Sequence, residues 1–323
     1  MEKNFDKNIF RDTTKKIKVI IDTDPGVDDA ACLVYAFADE NLEIKLLTTV
    51  KGNVSVDLTT HNLLHLLDLF KVDIPVAKGA DKALARETPT AEFIHQRCGM
   101  GGYIPPEKCS RKLLEQDAVE AMYQTIMDGD GDIVIVVLGP QTNVANLLLK
   151  HPDVKSKIPK IVFMGGSPYG NPDYPSHVSF NLSSDPEAVK IVLESGIPLL
   201  MIPSHVGRKK AHLDEDFVNS LEKINDVGKF LYTMYSEYWE PSEKDKRVTT
   251  NDTCTLLALL YPKLFIMKKV DATINVTDHP GKTDIIFSEN GKIDFVHDLH
   301  REEFLTFLIN ELEDMHAVKL NKI

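Results

Sequence analysis

Cysteine is scarce in this chain of 323 residues, which contains only Cys32, Cys98, Cys109 and Cys254. The four are scattered, and no Cys-x-x-Cys pair or spacing typical of a zinc or redox site occurs. A cysteine-based metal or disulfide framework is therefore excluded, and we expect reduced thiols in a cytoplasmic protein.

Long apolar runs and an excess of basic charge are also missing. No run approaches the ~18 residues of a membrane span, and the polar leader over residues 1–16 has no apolar stretch typical of a signal peptide. Acidic residues outnumber basic ones by 49 to 37, which gives a net charge of -12. Such a charge repels phosphate backbones and anionic lipids. We expect no export, no membrane anchor and no nucleic-acid partner.

The composition is that of a globular protein, with 43% hydrophobic and 27% charged residues. No internal repeat and no linker rich in proline, glycine or serine marks a boundary. The sequence therefore predicts a single domain over residues 1–323, of which residues 1–16 form the polar leader.

Apolar, β-branched runs alternate with helical patterns along the chain. The predicted strands are residues 17–21, 43–50, 132–138, 160–164 and 197–202, and the predicted helix starts are Asp28, Asp57, Thr142 and Asp185. This alternation predicts an α/β fold, a Rossmann-like open sheet that is mostly parallel with helices on both faces. Residues 85–106 are predicted to form a long loop, and Asn290-Gly291 predicts a late hairpin.

The string IIDTDPGVDDA places Asp22, Asp24, Asp28 and Asp29 at the carboxyl end of the first strand, where open α/β sheets bind ligands. Four carboxylates so close together repel one another unless a cation neutralises them. Oxygen ligands favour Ca²⁺ or Mg²⁺, and room for further oxygens favours Ca²⁺. In the alternative, Asp28 and Asp29 only cap a helix. Capping explains neither Asp22 nor Asp24.

The same string, DTDPGVDDA, resembles the N-terminal signature of the inosine-uridine-preferring nucleoside hydrolase family. Further family motifs follow in order: TTVKGN (48–53), LGPQTNVA (138–145), MGG (164–166), FNLSSDPEA (180–188) and NDTCTLLALLYP (251–262). The resemblance spans residue 16 to about residue 263. It implies a nucleoside hydrolase-like fold, Ca²⁺-dependent hydrolysis of the N-glycosidic bond of ribonucleosides, and a homodimer or homotetramer that serves nucleoside salvage.

The resemblance also implies roles for individual residues. Ca²⁺ would be held by the side chains of Asp24, Asp29 and Asp252 and by the backbone carbonyl of Leu138. Asp24 has the position of the general base that takes a proton from the attacking water, and Asp22 supports the cluster from behind. The residues implied to line the sugar site are Asp28, Asn53, Met164, Ser179, Phe180 and Asn181. For Met164, core packing at a strand end is the alternative.

Two positions depart from the family pattern. Asn251 stands before Asp252 where the family commonly has a histidine that protonates the leaving base, and Ser179 stands where it often has a glutamate. Asparagine donates hydrogen bonds but is no acid near neutral pH, so Tyr235 and Tyr238 are the candidates to activate the leaving base in place of the histidine. Asn251, Tyr238 and His95 are thus counted with Asp24 as catalytic candidates, and His95 resembles a family active-site histidine over the base or the 5′ end of the sugar. The alternatives left open are a surface or core role for His95, His177 and His205, and packing rather than base stacking for Trp239.

Two other functions fit parts of the sequence. An aspartyl phosphatase of the haloacid dehalogenase type also begins with a strand that ends in Asp-x-Asp, but its later lysine and acidic pair are missing here. A family member without the acid could bind a nucleoside or sugar without cleaving it. It could also hydrolyse an atypical riboside, such as that of nicotinamide, whose leaving group needs little protonation.

Overall fold

The computed structural model describes residues 5–87, 90–168, 178–238 and 246–320. The strands are β1 (Ile17–Thr23), β2 (Leu42–Thr49), β3 (Val76–Lys78), β4 (Ile133–Val137), β5 (Ile161–Met164), β6 (Leu199–Ile202), β7 (Leu213–Asp214), β8 (Arg247–Val248), β9 (Phe265–Ile274), β10 (Thr283–Phe287) and β11 (Ile293–Leu299). The α-helices are α1 (Val27–Ala38), α2 (Val56–Phe70), α3 (Glu92–His95), α4 (Ala118–Met127), α5 (Thr142–Lys150), α6 (Phe180–Ser184), α7 (Pro186–Leu193), α8 (Glu215–Leu221), α9 (Asp226–Tyr235), α10 (Asn251–Leu260) and α11 (Arg301–Asp314). A π-helix covers Val206–Lys210, and short 3-10 helices cover Lys7–Phe10, Pro152–Lys157, Pro262–Leu264 and Met315–Ala317.

Nine strands form one sheet in the order β10-β9-β11-β6-β5-β4-β1-β2-β3, and β7 and β8 form a small separate ribbon. Every neighbouring pair from β11 to β3 is parallel, whereas β9 is antiparallel to both of its neighbours. The predicted mostly parallel sheet is thus confirmed. The five predicted strands correspond to β1, β2, β4, β5 and β6, with ends that differ by at most two residues.

Helices cover both faces of the sheet, as β1 makes clear. Val19 and Ile21 belong to a core cluster with residues of α1, α2, α9, α10 and α11, whereas Ile20 belongs to a second cluster with residues of α4, α5 and α7. Because successive side chains of a strand point to opposite faces, the two clusters lie on opposite sides of the sheet. This explains why the central strands are apolar at consecutive positions.

The predicted hairpin at Asn290-Gly291 is wrong. β10 and β11 do not pair with each other but lie on either side of β9, where Phe287 and Ile293 both stand opposite Val270. A Cβ atom on Gly291 would lie 2.5 Å from the backbone nitrogen of Val270, so the glycine lets the chain cross closely over β9. The hairpin of this region instead joins β9 to β10.

The predicted helix starts agree with the structure to within one residue. α1 and α2 begin one position before Asp28 and Asp57, and the hydroxyl of Ser55 caps α2. Thr142 begins α5, and the Asp185 carboxylate caps α7. Nowhere in the described part of the chain is a helix long and apolar enough to cross a membrane.

Candidate active site

The carboxyl ends of the central parallel strands meet at one edge of the sheet. Asp24 directly follows β1, Leu138 directly follows β4, and Met164 is the last residue of β5. α10 packs against α1 and brings Asn251 and Asp252 to this edge from the last quarter of the chain. Residues that are far apart in the sequence therefore share one site at the place where open α/β sheets bind ligands.

Three carboxylates from two helices converge at this edge. Asp28 and Asp29 lie in the first turn of α1 and Asp252 lies in the first turn of α10, and one oxygen atom of each lies within 4.8 Å of the others. All three side chains are buried. Burial and the repulsion from Asp28, Asp29 and Asp24 raise the pKa of Asp252 well above its usual range. A divalent cation would relieve this repulsion, so the residues fit a metal site.

Asp24 lies beside this group in a close-fitting backbone cradle. Its Oδ2 accepts a hydrogen bond from the amide of Asn53 at 2.8 Å, and its Oδ1 is buried without a hydrogen bond from any described residue. A Cβ atom on Gly52 would lie 1.9 Å from Oδ2, and one on Gly139 would lie 2.3 Å from Oδ1. Burial and the nearby Asp29 carboxylate raise the pKa of Asp24 well above its usual range. Asp24 thus combines a high proton affinity with a free oxygen.

Asp29 stabilises the turn between β1 and α1 through hydrogen bonds from four groups. Its Oδ1 accepts hydrogen bonds from the Thr23 hydroxyl at 2.5 Å and from the Asp24 amide at 3.1 Å. Its Oδ2 accepts from the Gly26 amide at 3.1 Å and from the Asn53 side chain at 2.9 Å. Helix capping is therefore part of its role. Capping does not account for the approach of α10, so the acidic cluster and the cap coexist.

Asp22 supports the cluster from within the sheet. Its Oδ1 accepts hydrogen bonds from the Thr48 hydroxyl at 2.6 Å and from the Asn143 side chain at 2.8 Å. Burial raises the pKa of Asp22 to about 7, although these two hydrogen bonds lower it. Sequence reasoning did not single out Thr48 or Asn143, or the cradle glycines Gly52 and Gly139. All four lie inside the motifs TTVKGN and LGPQTNVA, which were the available signal.

The residues predicted to line the sugar site form a second group next to the carboxylates. The side-chain amide of Asn181 donates to the Leu138 carbonyl and lies 3.3 Å from the sulfur of Met164. The hydroxyl of Ser179 is buried and has no hydrogen-bond partner among the described residues. Phe180 begins α6, and its carbonyl accepts hydrogen bonds from the next turn. The Leu138 carbonyl predicted to bind the cation is thus held by Asn181.

His95 ends the short helix α3, which interrupts the predicted loop over residues 85–106. Its Nδ1 accepts a hydrogen bond from the amide of Val27 at 3.1 Å, and its ring centroid lies 5.1 Å from that of Tyr238. Burial lowers the pKa of His95 to about 3. The Tyr238 hydroxyl lies 3.0 Å from the hydroxyl of Thr249. His95 is therefore a neutral ring that connects the start of α1 to Tyr238.

Asn251 packs against a glycine of the π-helix. Its Oδ1 is buried without a hydrogen-bond partner among the described residues, and a Cβ atom on Gly207 would lie 2.3 Å from it.

Tyr235 is buried near Asp28, whose charge adds to burial in raising the pKa of the phenol. His205 turns toward β11, where its Nε2 lies 3.4 Å from the carbonyl of His297. The predicted residues Trp239 and His177 lie outside the described residues.

Comparison with known proteins agrees with this arrangement. Residues 19–306 match the family described as inosine-uridine preferring nucleoside hydrolase. The chain is 36% identical over 255 residues to the non-specific ribonucleoside hydrolase RihC of Salmonella paratyphi B, covering 79% of this chain and 82% of the relative. Among solved structures, the plant nucleoside hydrolase PpNRh1 superposes with a TM-score of 0.85 at 27% identity over 92% of this chain and 99% of its own. The purine-preferring ribonucleoside hydrolase from Gardnerella vaginalis gives a TM-score of 0.85 at 25% identity over 94% and 100%. The resemblance predicted from the motifs is confirmed, and the chain belongs to the inosine-uridine-preferring nucleoside hydrolase family.

Proposed function

We propose that the chain hydrolyses the N-glycosidic bond of ribonucleosides to ribose and free base, with Ca²⁺ as its cofactor. The proposal depends on one observation above all, the convergence of acidic side chains from both ends of the chain. Oxygen atoms of Asp28, Asp29 and Asp252 lie within 4.8 Å of one another, and Asp24 lies close enough to raise the pKa of Asp252. Such a buried group of carboxylates is costly unless a cation compensates it.

The ligand chemistry supports a hard cation. The group consists of carboxylates, and the backbone carbonyl of Leu138 lies at the same edge of the sheet. Oxygen ligands suit Ca²⁺, which takes six to eight of them in protein sites. We propose Asp24, Asp29, Asp252 and the Leu138 carbonyl as the protein ligands. When bound, the cation would neutralise the carboxylates and lower the pKa of the attacking water.

Asp24 is proposed as the general base. Its Oδ1 has no hydrogen bond from any described residue and can accept a proton from water, as general base catalysis requires. The contact from Asn53 to Oδ2 and the two glycines fix the carboxylate, so that Oδ1 remains the reactive oxygen. Water attacks C1′ of the sugar as the bond to the base breaks.

Positive charge on the sugar develops during this step, as in other glycoside hydrolyses. Asp28 and its neighbours place negative charge at the site and would stabilise such a transition state. We propose Asp28, Asn53, Met164, Asn181 and the segment of Ser179 and Phe180 as contacts of the ribose. His95, Tyr238 and Asn251 are proposed to contact the base.

The cellular setting stays a prediction. We propose a cytoplasmic enzyme of nucleoside salvage that assembles as a homodimer or homotetramer.

A second candidate function is binding of a nucleoside or sugar without cleavage. It draws support from the single observation that Asn251 cannot act as an acid.

A reducing-sugar assay on purine and pyrimidine ribosides separates these functions. The hydrolase predicts release of ribose that a chelator abolishes and that added Ca²⁺ restores more fully than Mg²⁺. Release that survives complete removal of metal ions would contradict the metal-dependent proposal. Tight nucleoside binding without ribose release, measured by calorimetry on the Ca²⁺-loaded protein, would favour the binding protein.

A further inference from the structure

The side chain of Asn251 lies beside the π-helix at the start of α10. Its Oδ1 faces the backbone of the π-helix at Gly207 and is buried, while the residue as a whole is 7% exposed. In either orientation the amide beside Asp252 can meet a ligand only through hydrogen bonds. An amide NH₂ donates hydrogen bonds but gives up no proton near neutral pH.

The other described residues proposed to face the base do not supply an acid either. The Nδ1 of His95 accepts the amide hydrogen of Val27, so this nitrogen carries no proton and the ring is neutral. Its remaining proton is on Nε2, which can donate a hydrogen bond only. The hydroxyls of Tyr235 and Tyr238 are phenols on buried side chains, and burial raises the pKa of Tyr235 above its usual range.

Without an acid among these residues, the way in which the C1′–N bond breaks depends on the charge of the base. When the C1′–N bond of an ordinary nucleoside breaks, its electron pair passes to the base, which leaves as an anion unless an acid protonates it. When the glycosidic nitrogen is already quaternary, as in a pyridinium, the same electron pair neutralises the positive charge. The base then leaves neutral, the oxygen of water bonds to C1′, and the proton of water passes to Asp24 and on to solvent.

The charge of the site also suits a cationic base. Asp28 is one of the acidic residues at this edge of the sheet, and its Oδ1 lies 4.0 Å from Nδ1 of His95, on the side of the ring that faces the start of α1. The chain as a whole carries a net charge of -12, which attracts cationic ligands.

We propose that the preferred substrates of this site are ribosides whose base is positively charged at the glycosidic nitrogen, the N-ribosylpyridinium class. The inference rests on the proposed function, because it names the leaving group for the same hydrolysis. Asn251 and His95 then act as hydrogen-bond donors that position the base, and departure of the base needs no proton.

The first test compares kcat/KM of the Ca²⁺-loaded wild-type protein for the riboside of nicotinamide with that for inosine and for uridine. We expect a preference for the pyridinium riboside of at least about tenfold, since a general acid contributes about 10²–10⁴-fold where the leaving group needs one. Equal or faster hydrolysis of inosine or uridine overturns the inference and leaves the proposed function standing. If no riboside is hydrolysed although calorimetry detects Ca²⁺ binding, the proposed function itself fails.

The second test is Asn251→His, which places a titratable group before Asp252. We expect the ratio of kcat/KM for the pyridinium riboside to that for inosine to fall by about tenfold or more, because inosine gains an acid. The same ratio in a variant that melts like the wild type overturns the inference. A variant that does not fold leaves the wild-type comparison to decide.

Discussion

The side-chain amide of Asn181 donates a hydrogen bond to the backbone carbonyl of Leu138. Sequence reasoning assigned the two residues to different partners, Asn181 to the sugar and Leu138 to the cation. Their contact joins the two proposed subsites, and Met164 completes the link through its sulfur. A change in one subsite should therefore be felt in the other.

Asn181→Ala tests this coupling. We expect weaker Ca²⁺ binding as well as a higher KM, each by about tenfold, because removal of one hydrogen bond at a buried polar group costs about 1–3 kcal/mol. Calorimetry of Ca²⁺ binding and steady-state kinetics measure the two effects. Ser183→Ala, on the same short helix, is the matched control and should leave both values near those of the wild type. A rise in KM with unchanged Ca²⁺ affinity would contradict the coupling.

Asp24→Asn tests whether the Asp24 carboxylate acts in the reaction rather than in stabilising the fold. We expect kcat to fall by about 10²–10⁴-fold, the contribution of a general base. The free energy of unfolding without metal should not fall, because the amide removes one of several repelling buried charges. Kinetics at saturating Ca²⁺ and urea denaturation after chelation give the two values. Asp57→Asn, at the exposed start of α2, is the control, and normal turnover in Asp24→Asn would remove this residue from its proposed role.

Gly207→Ala tests the support behind Asn251. The added Cβ would lie 2.3 Å from Oδ1 and 2.6 Å from the backbone nitrogen of Asn251, so α10 or the π-helix must shift. We expect a loss of about 1–3 kcal/mol in the free energy of unfolding and, because Asp252 follows directly, weaker Ca²⁺ binding. Lys210→Ala, an exposed change on the same π-helix, serves as the control. Unchanged Ca²⁺ affinity in a folded Gly207→Ala protein would argue against this support.

His95 should give the stability a measurable pH dependence. Its pKa is about 3 in the folded protein but near ~6.5 in an unfolded chain, so the unfolded chain binds the extra proton between these values. Stability from the neutral ring is complete above the unfolded pKa and is lost as the pH falls toward the folded pKa. Between pH 6.5 and pH 5 the loss amounts to about 2 kcal/mol.

His95→Asn provides the comparison for this prediction, because an asparagine oxygen can accept the Val27 amide but does not titrate. The buried carboxylates titrate in both proteins, so their contribution cancels in the difference. In urea denaturation, the free energy of unfolding of the wild type should fall more between pH 7 and pH 5 than that of the variant. Identical pH dependence of the two proteins would show that His95 is not buried as a neutral ring.

The central sheet could be predicted because its strands carry a local signal. A strand buried on both faces needs apolar residues at consecutive positions, and the runs before Asp22 and before Leu138 have this pattern. The crossing at Asn290-Gly291 could not be predicted, because asparagine followed by glycine also suits a tight hairpin. Only the pairing of Phe287 and Ile293 with Val270 distinguishes the two cases, and that pairing is a long-range property.

The candidate site could likewise be predicted from the sequence only in part. The acidic residues near β1 stand out because their charges are close in sequence, and Asp252 was identified only through the family motif. Gly207 and Asn143 support the site from distant segments through a close contact and a shared hydrogen bond. No local spacing encodes such contacts, so they become visible only once the helices and strands are packed together.

The arrival of Asp252 on α10 has a consequence for biosynthesis. A chain still being made on the ribosome can form β1 and expose Asp24, Asp28 and Asp29 long before their partner from the last quarter of the sequence exists. Until α10 docks on α1, these carboxylates repel one another while the proposed metal site still lacks Asp252 as a ligand. Nascent or C-terminally truncated chains should therefore hold metal ions poorly, so that metal loading is a late event that follows near-completion of translation.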